Sequence, residues 1–277
     1  MNTLSKVKKI QILSGLVEGM SIRSLERMTN THRDTIMRLM IRIGKGCQRL
    51  LEENLKDFHS KYIEADEIWT FVKKKEKKLN PIEKANQKLG DQYVFVALDA
   101  ETKLVPVFVV GKRDSGTATE FMQELQKRLK ENGRIQITTD SLKAYLWAVE
   151  LAFGKDVDYA QLTKLFASVN PGLGRYSPPR ISQVVSTRIQ GNPDEKHIST
   201  SYVERQNLTI RMQIRRFTRL TNAFSKKLEN LKASLALHFA HYNFVRIHSS
   251  LRVTPAMEAK ITDHIWGWEE ILAYEAN

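Results

Sequence analysis

Three acidic residues lie at positions from which their carboxylates could bind metal ions. Asp66 falls inside YIEADEIWTFV, a stretch rich in β-branched and aromatic residues, and Asp140 ends a second such stretch, RIQITTD. Glu204 lies in a basic segment of helical pattern, STSYVERQNLTIRMQIRR. Hard divalent cations prefer oxygen ligands, which carboxylates supply. Most Asp and Glu residues are simply solvated, so the hypothesis depends on the placement of all three.

Carboxylates in this arrangement suit the cleavage of phosphodiesters. That reaction must activate a weak nucleophile and stabilise charge on the attacking and leaving oxygens, and two Mg²⁺ ions about 3.5–4 Å apart can do both. In this hypothesis Asp66 contacts both ions, while Asp140 and Glu204 each complete one site. We expect two Mg²⁺ ions as the cofactor, with Mn²⁺ able to substitute for them.

The elements that must position these acids follow the order three strands, helix, strand, helix. The strands are predicted in YIEADEIWTFV, DQYVFVALDAE, KLVPVFVVGKRD and RIQITTD, with a helix near Ser115 before the fourth and the helix SLKAYLWAVELAF after it. This is the order of the ribonuclease-H-like fold, an α/β fold with a mixed sheet flanked by helices. The first and fourth strands are neighbours in such a sheet, so Asp66 and Asp140 could lie side by side.

Other acids and several histidines compete for the same role. Glu67 should point to the opposite sheet face because side chains alternate along a strand, whereas Glu64 shares the Asp66 face and remains a possible neighbour of the site. Asp99 lies in the sequence DAETK and is interpreted as a turn residue. The pair His238 and His241 could suggest a metal site, but polar packing or a DNA contact is the favoured interpretation.

The N-terminal region has the pattern of a helix-turn-helix. The short helical segment SIRSLERM, with Ser21 as its N-cap, is followed by the turn TNTH and a longer basic helix. Arg33, Thr35 and Arg38 lie early in that second helix and are predicted to enter the major groove. A three-helix unit can also serve only as a packing module, so the pattern leaves both interpretations open.

The segment around Glu204 is predicted to be one amphipathic helix. Val203, Ile210, Ile214 and Phe217 form an apolar stripe, and the adjoining face presents Glu204, Asn207, Arg211 and Arg215. DNA attracted to the arginines would then lie beside the carboxylate. The residues predicted to bind DNA here are Asn207, Arg211, Arg215 and Arg216.

Composition favours a polyanionic partner. The net charge is +13, the pI is near 9.7, and residues 205–232 contain eight basic side chains against one acid. Cys47 is the single cysteine, which excludes an intrachain disulfide and a cysteine-rich zinc module. No apolar run approaches the roughly 20 residues that a bilayer span requires. We therefore expect a cytoplasmic protein without a membrane partner.

The strings ADEIWTFV, TTDSLKAY, STSYVERQNLTIRMQIRRFTRLTNAFSKKLEN and HYNFVRIHSSLRVTPAM resemble the DDE transposases of the insertion-sequence-one family. The resemblance implies that Asp66, Asp140 and Glu204 are the metal-binding catalytic acids. It also implies a prokaryotic, nucleoid-associated protein whose partner is double-stranded DNA, both as element terminal inverted repeats and as target. Joining two element ends further requires a homodimer or a higher homo-oligomer.

Two departures from compact members of that family affect the expected organisation. One cysteine cannot build their zinc finger, and the second Asp and the Glu stand 64 positions apart, farther than in those members. We predict a helix-turn-helix domain at 1–58, a catalytic domain at 59–260 with an insertion at about 149–197, and a tail at 261–277. The segment from Ser168 to His197 has no periodicity and is predicted to be a long loop or small insertion.

Two other functions remain open at this point. One is a domesticated sequence-specific DNA-binding protein that has lost catalysis, although all three acids are retained. The other is a ribonuclease or structure-specific nuclease on the same fold, which the helix-turn-helix disfavours because a general nuclease needs no sequence reader.

Overall fold

Three helices form the N-terminal part of the chain. The structure is a computed structural model that describes residues 4–130, 133–167 and 180–276. The helices are α1 (Lys6–Val17), α2 (Ile22–Thr29) and α3 (Arg33–Asn54). Ser21 caps α2 as predicted, because its side chain accepts a hydrogen bond from the Ser24 amide at 3.0 Å. Asn30 then turns the chain toward α3 with a left-handed φ of 49°.

A six-stranded mixed sheet follows, in the order β3-β2-β1-β4-β5-β6. Its strands are β1 (Tyr62–Val72), β2 (Gly90–Asp99), β3 (Val107–Gly111), β4 (Ile135–Asp140), β5 (Val157–Phe166) and β6 (Ile181–Gln190). β4 is parallel to both β1 and β5, and the other pairings are antiparallel. The predicted mixed sheet is confirmed, and β1 and β4 are central neighbours.

The sheet is covered on both faces. The longer helices are α5 (Ser115–Arg128), α6 (Lys143–Phe153), α7 (Ser201–Gln213) and α8 (Leu228–Ala240), and the shorter ones are α4 (Pro81–Lys84), α9 (Pro255–Glu258) and α10 (Trp268–Ala273). Ile63 and Ala65 of β1 pack in one core with α5 and α6, whereas Ile68 and Val72 pack in a second core with α7 and α8. This division follows the alternation of side chains along a strand.

The N-terminal helices share the second of these cores. Ile36, Ile43 and Leu50 of α3 are fully buried in it together with Leu235 of α8. At Gly44 an added Cβ would lie 2.7 Å from the Cα of Ala233, so α3 and α8 approach closely there. The core is therefore continuous across residue 58, and the division of the chain into functional domains stays a prediction.

The segment predicted as irregular from Ser168 to His197 contains a strand. Its residues 181–190 form β6, which pairs with β5 and extends the sheet, while residues 168–179 lie outside the described part of the chain. Nearly all side chains of β6 are exposed, so selection for an apolar face is weak there and the sequence shows no alternation. That prediction is wrong for residues 181–190.

One helix also differs from its predicted extent. α7 ends at Gln213, Ile214 is extended, and a 3-10 turn covers Arg215–Phe217. One helical face cannot then include both Glu204 and Arg215. The last long helix, α8, continues past Ala240 as a π-helical turn over His241–Val245. No helix in the described ranges is long and apolar enough to cross a membrane.

Candidate active site

The candidate site lies where β1 and β4 separate. Their parallel pairing ends at Ala65 and Thr139, although β1 continues to Val72 in its pairing with β2. Asp66 is the first β1 residue beyond that pairing, and Asp140 is the last residue of β4. Both acids therefore border the gap that opens between the two strands.

Three carboxylates meet at this gap. One oxygen from each of Asp66, Glu67 and Asp140 lies within 4.8 Å of the others. Glu67 contacts the α6 side of the sheet, as its alternation predicted, because the Tyr145 hydroxyl donates to its Oε2 at 3.2 Å. Because the β1–β4 pairing ends before Glu67, no β4 residue is paired beside it, and its carboxylate can still approach those of Asp66 and Asp140. The sequence prediction did not include Glu67 in the site, and only the end of the β1–β4 pairing would have indicated it.

Burial and like charges both act on Asp66. Burial, and after it the neighbouring carboxylates of Glu67 and Asp140, raise the pKa of Asp66 to about 7. The Asn207 amide from α7 donates to Asp66 Oδ2 at 2.8 Å. Asn207 Oδ1 is buried without a hydrogen-bond partner among the described residues. The site thus holds an acid that is costly to ionise, next to an amide oxygen that is free to accept.

One guanidinium partly compensates the cluster. Arg113 Nε donates to Glu67 Oε1 at 2.6 Å, and its Nη2 lies 3.6 Å from Asp140 Oδ2. Burial raises the pKa of Asp140, while the Leu142 amide, donating to its Oδ1 at 3.0 Å, lowers that pKa. Arg113 is therefore a charged residue of the site that sequence reasoning missed, since nothing in its own segment, GKRD, indicates its partners.

Glu204 lies at the edge of this cluster. It occupies the first turn of α7, where its Oε1 accepts a hydrogen bond from the Thr200 hydroxyl at 2.6 Å and pairs with Lys164 of β5. It lies one turn before Asn207, which donates to Asp66, and its charge raises the pKa of both Asp66 and Asp140, although its oxygens are not among those that lie within 4.8 Å of one another. The structure thus brings Asp66 and Asp140 together. Glu204 lies beside them and forms an ion pair with Lys164.

The residues predicted to read DNA lie at the start of α3. Arg33 and Arg38 are exposed there and Thr35 is half-buried. Their side chains face away from the core that α3 shares with α8, so the structure leaves two of the three open to a partner. Their contact with DNA stays a prediction.

The residues predicted to bind DNA near Glu204 have different surroundings. Arg215 is exposed. Arg211 is half-buried, with its Nη1 3.5 Å from the Phe217 carbonyl oxygen. Arg216 donates to Ser225 Oγ at 3.1 Å and to Met40 Sδ at 3.6 Å, and burial lowers its pKa to about 10.

Asn207, the fourth residue of that set, is buried and bonded to Asp66. Arg215 is thus the one of the four that is exposed.

The remaining candidates have structural roles. Asp99 Oδ1 accepts from the amides of Glu101 and Thr102 at 2.8 and 3.1 Å, which confirms it as a turn residue. His238 is fully buried, and burial lowers its pKa to about 3. Within the ranges that the structure describes, Asp66, Glu67 and Asp140 form the one cluster able to hold a metal ion.

Comparison with known proteins supports the DDE class. A family model described as a DDE domain matches residues 85–165, a span that includes Asp140 but neither Asp66 nor Glu204. Among curated proteins the sequence finds no match. The match to this family model supports a DDE transposase family, while the narrower insertion-sequence-one assignment stays a prediction.

Three solved structures are similar to this chain, two over 57% and one over 99% of its length. The Mos1 strand transfer complex has 15% identity and a TM-score of 0.25, over 57% of this chain and 59% of that one. A pre-cleavage Mos1 transpososome has 12% identity and a TM-score of 0.22, over 57% and 60%. The piggyBac transposase synaptic complex with hairpin DNA has 10% identity and a TM-score of 0.37, over 99% and 73%. The chain spans about three-fifths of the length of the Mos1 chains that it matches.

The raised pKa of Asp66 predicts a pH-dependent stability of the metal-free protein. An Asp in an unfolded chain ionises near pH 3.9, whereas the folded pKa is about 7. As the pH rises between these values, the unfolded state loses its proton first, so the free energy of unfolding falls and stays low above pH 7. We expect Asp66→Asn, in EDTA, to raise the Tm by roughly 5 °C at pH 8, with a smaller difference at pH 5.

Thermal melting at the two pH values checks this expectation. The exposed Asp156, changed to Asn, provides the matched control and should leave the Tm unchanged at both. A Tm for Asp66→Asn at or below that of the wild type at pH 8 would show that ionised Asp66 costs no stability.

Proposed function

We propose that this protein is a DDE transposase that binds the ends of a DNA element, cleaves phosphodiesters there and joins the 3′-hydroxyl ends to target DNA. The observation that supports this most directly is the meeting of Asp66 and Asp140 at the gap between β1 and β4, with Glu204 beside them. The helices and mixed sheet that position these acids follow the ribonuclease-H-like element order. The match of a DDE domain model to residues 85–165 supports the same reaction class.

The donors at the gap fit a hard divalent cation. Carboxylate oxygens are the ligands that Mg²⁺ and Mn²⁺ prefer, and the unpartnered Asn207 Oδ1 adds a neutral oxygen next to Asp66. When bound, two Mg²⁺ ions would activate the attacking oxygen and stabilise charge on the leaving oxygen. We assign their binding to Asp66, Asp140 and Glu204.

Glu204 suits the third position better than Glu67 does. Both oxygens of Glu67 already accept hydrogen bonds, one from Arg113 and one from Tyr145, and its side chain is only 3% exposed. The Glu204 side chain is 41% exposed. A DNA phosphate can therefore approach Glu204 from solvent, whereas Glu67 holds Arg113 in place.

The other side chains of the site orient and balance these acids. The Asn207 amide fixes the direction of the Asp66 carboxylate. Arg113 lowers the repulsion between Glu67 and Asp140. Exposed arginines such as Arg215 would contact DNA phosphates, which position a duplex without reading its sequence. Sequence reading is assigned to Arg33, Thr35 and Arg38, and joining two ends requires at least two copies of the chain.

Removal of one catalytic charge should separate chemistry from binding. We expect Asp66→Asn to abolish joining of labelled element ends to plasmid DNA while binding to those ends changes less than about twofold. Asp156→Asn is the control and should join ends at the wild-type rate. Wild-type joining by Asp66→Asn would exclude the catalytic assignment, and absence of joining by the wild type would favour a DNA-binding protein without catalysis.

Replacement of exposed arginines in α3 should weaken end recognition. We expect Arg33→Ala and Arg38→Ala each to lower affinity for element ends by roughly tenfold, because a bidentate base contact contributes about 1–3 kcal/mol. Lys45→Ala, an exposed change farther along the same helix, should have little effect. Equal losses on ends and on unrelated DNA, measured by fluorescence anisotropy, would show that α3 contacts phosphates and reads no bases.

Arg215 and Arg216 form a matched pair of adjacent arginines with different surroundings. Arg215→Ala should lower the slope of log affinity against log salt by about 0.9, the value for one lost phosphate contact, and leave the Tm unchanged. Arg216→Ala should lower the Tm, because it removes contacts with Ser225 and Met40, and leave the slope unchanged. A salt titration and a melting curve of each variant test this, and the reverse pattern would contradict it.

A further inference from the structure

The helix that carries Glu204 begins without a side-chain cap from its own N-cap residue. The first amides of a helix need acceptors from outside the helix, and an N-cap Ser, Thr, Asp or Asn commonly supplies one. Thr200 occupies the N-cap of α7, but its side chain accepts no hydrogen bond from the helix amides, and its hydroxyl donates to Glu204. The start of α7 therefore depends on acceptors from other residues.

Glu64 of β1 supplies that acceptor. Its Oε2 accepts from the backbone amides of Tyr202 at 2.7 Å and Val203 at 3.0 Å. These two amides belong to the first turn of α7, and 138 positions separate Glu64 from Tyr202. A carboxylate at a helix N-terminus is stabilised both by these hydrogen bonds and by the helix dipole. Ser199 Oγ accepts from the Ser201 amide at 3.0 Å, and the next two amides of α7 are capped by the strand that contains Asp66.

Glu64 is buried, so its carboxylate is not simply solvated at the surface. Its side chain is 2% exposed, and burying a carboxylate is costly unless it is hydrogen-bonded. Because side chains alternate along β1, Glu64 and Asp66 point to the same face of the sheet, toward α7. Glu64 is buried at this cost two residues from a proposed metal ligand. The helix amides that it binds explain its position better than a reaction of its own carboxylate does.

Two polar contacts join β1 to α7, and Glu204 lies between them along the helix. Glu64 contacts the amides of Tyr202 and Val203, and Asp66 contacts the side chain of Asn207. The first contact fixes the start of the helix, and the second fixes it one turn later. Rotation or sliding of α7, which would carry Glu204 away from the aspartates, must break at least one of them.

We propose that Glu64 is a positioning residue that holds the first turn of α7 against β1 and so sets the location of Glu204 relative to Asp66. This inference rests on the proposed function, in which Glu204 binds a divalent cation. Glu64 itself acts through the helix: its Oε2 accepts from two backbone amides, and its carboxylate is not one of the three whose oxygens lie within 4.8 Å of one another. Carboxylate groups that orient metal ligands in this indirect way commonly affect metal affinity by about 10–100-fold.

The test measures Mn²⁺ binding to the full-length protein without DNA, by electron paramagnetic resonance of the free ion. Glu64→Gln has nearly the same volume but loses the charge and one acceptor oxygen. We expect it to weaken Mn²⁺ binding roughly tenfold, and Glu64→Ala to weaken it further. Thr254→Ala is the matched control, since Thr254 is a fully buried helix cap that accepts from the Met257 amide in α9, a helix without any of the three acids.

Each outcome either supports or overturns the inference. Weaker Mn²⁺ binding in Glu64→Gln but not in Thr254→Ala supports it, even where both variants lower the Tm. Wild-type Mn²⁺ affinity in Glu64→Gln overturns it, as does an equal loss in Thr254→Ala. If Glu64→Ala does not fold, Glu64→Gln alone decides.

Glu204→Gln separates this inference from the proposed function. If it leaves Mn²⁺ affinity unchanged, the assignment of Glu204 as a ligand fails and the role of Glu64 fails with it. If Glu204→Gln weakens binding and Glu64→Gln does not, the proposed function stands and only the positioning role is wrong.

Discussion

The end of the β1–β4 pairing is the constraint on which the site depends. Beyond Ala65 and Thr139 the strands separate, and three carboxylates from both faces of the sheet meet within 4.8 Å. A paired β4 residue beside Glu67 would have kept it apart from Asp66. The same gap that collects the acids also concentrates like charge in a partly buried place, which costs stability. The surrounding contacts are understood most simply as responses to that cost.

Those responses differ between the two sides of the gap. On the α6 side, Arg113 and Tyr145 hold both oxygens of Glu67, so that acid is fixed and screened from solvent. On the α7 side, Asp66 accepts from the Asn207 amide, forms no ion pair with any described residue, and has a pKa of about 7. The uncompensated charge therefore lies where α7 brings Glu204, which is also the side open to solvent. A cation or a DNA phosphate with its cations is more strongly attracted to that side.

The sequence predicted the parts of the fold that have strong periodicity. α6 repeats clearly because it buries one face, and β1 and β4 are rich in β-branched residues because they are covered on both faces, so Asp66 and Asp140 were located by their places in these strands. β6 was missed because a strand exposed on nearly all sides has no apolar pattern. The break of α7 at Gln213 was missed because Ile214 and Phe217 fit a continuous helical stripe equally well and are buried either way. Glu67, Arg113 and Arg216 depend on contacts between distant segments, which spacing along the chain does not encode.

The shared core of α3 and α8 has a consequence for how recognition and cleavage would be coupled. The first two turns of α3 expose Arg33 and Arg38, whereas its later turns are buried against α8 with a close approach at Gly44. The same core includes Val203 and Ile210 of α7, the helix that carries Glu204. A flexible linker would let a bound DNA end reach the acids at variable positions. Here α3 and α7 pack into the same core. Under the proposed function, this core therefore sets the distance between the bases that α3 reads and the phosphodiester bond that is cut.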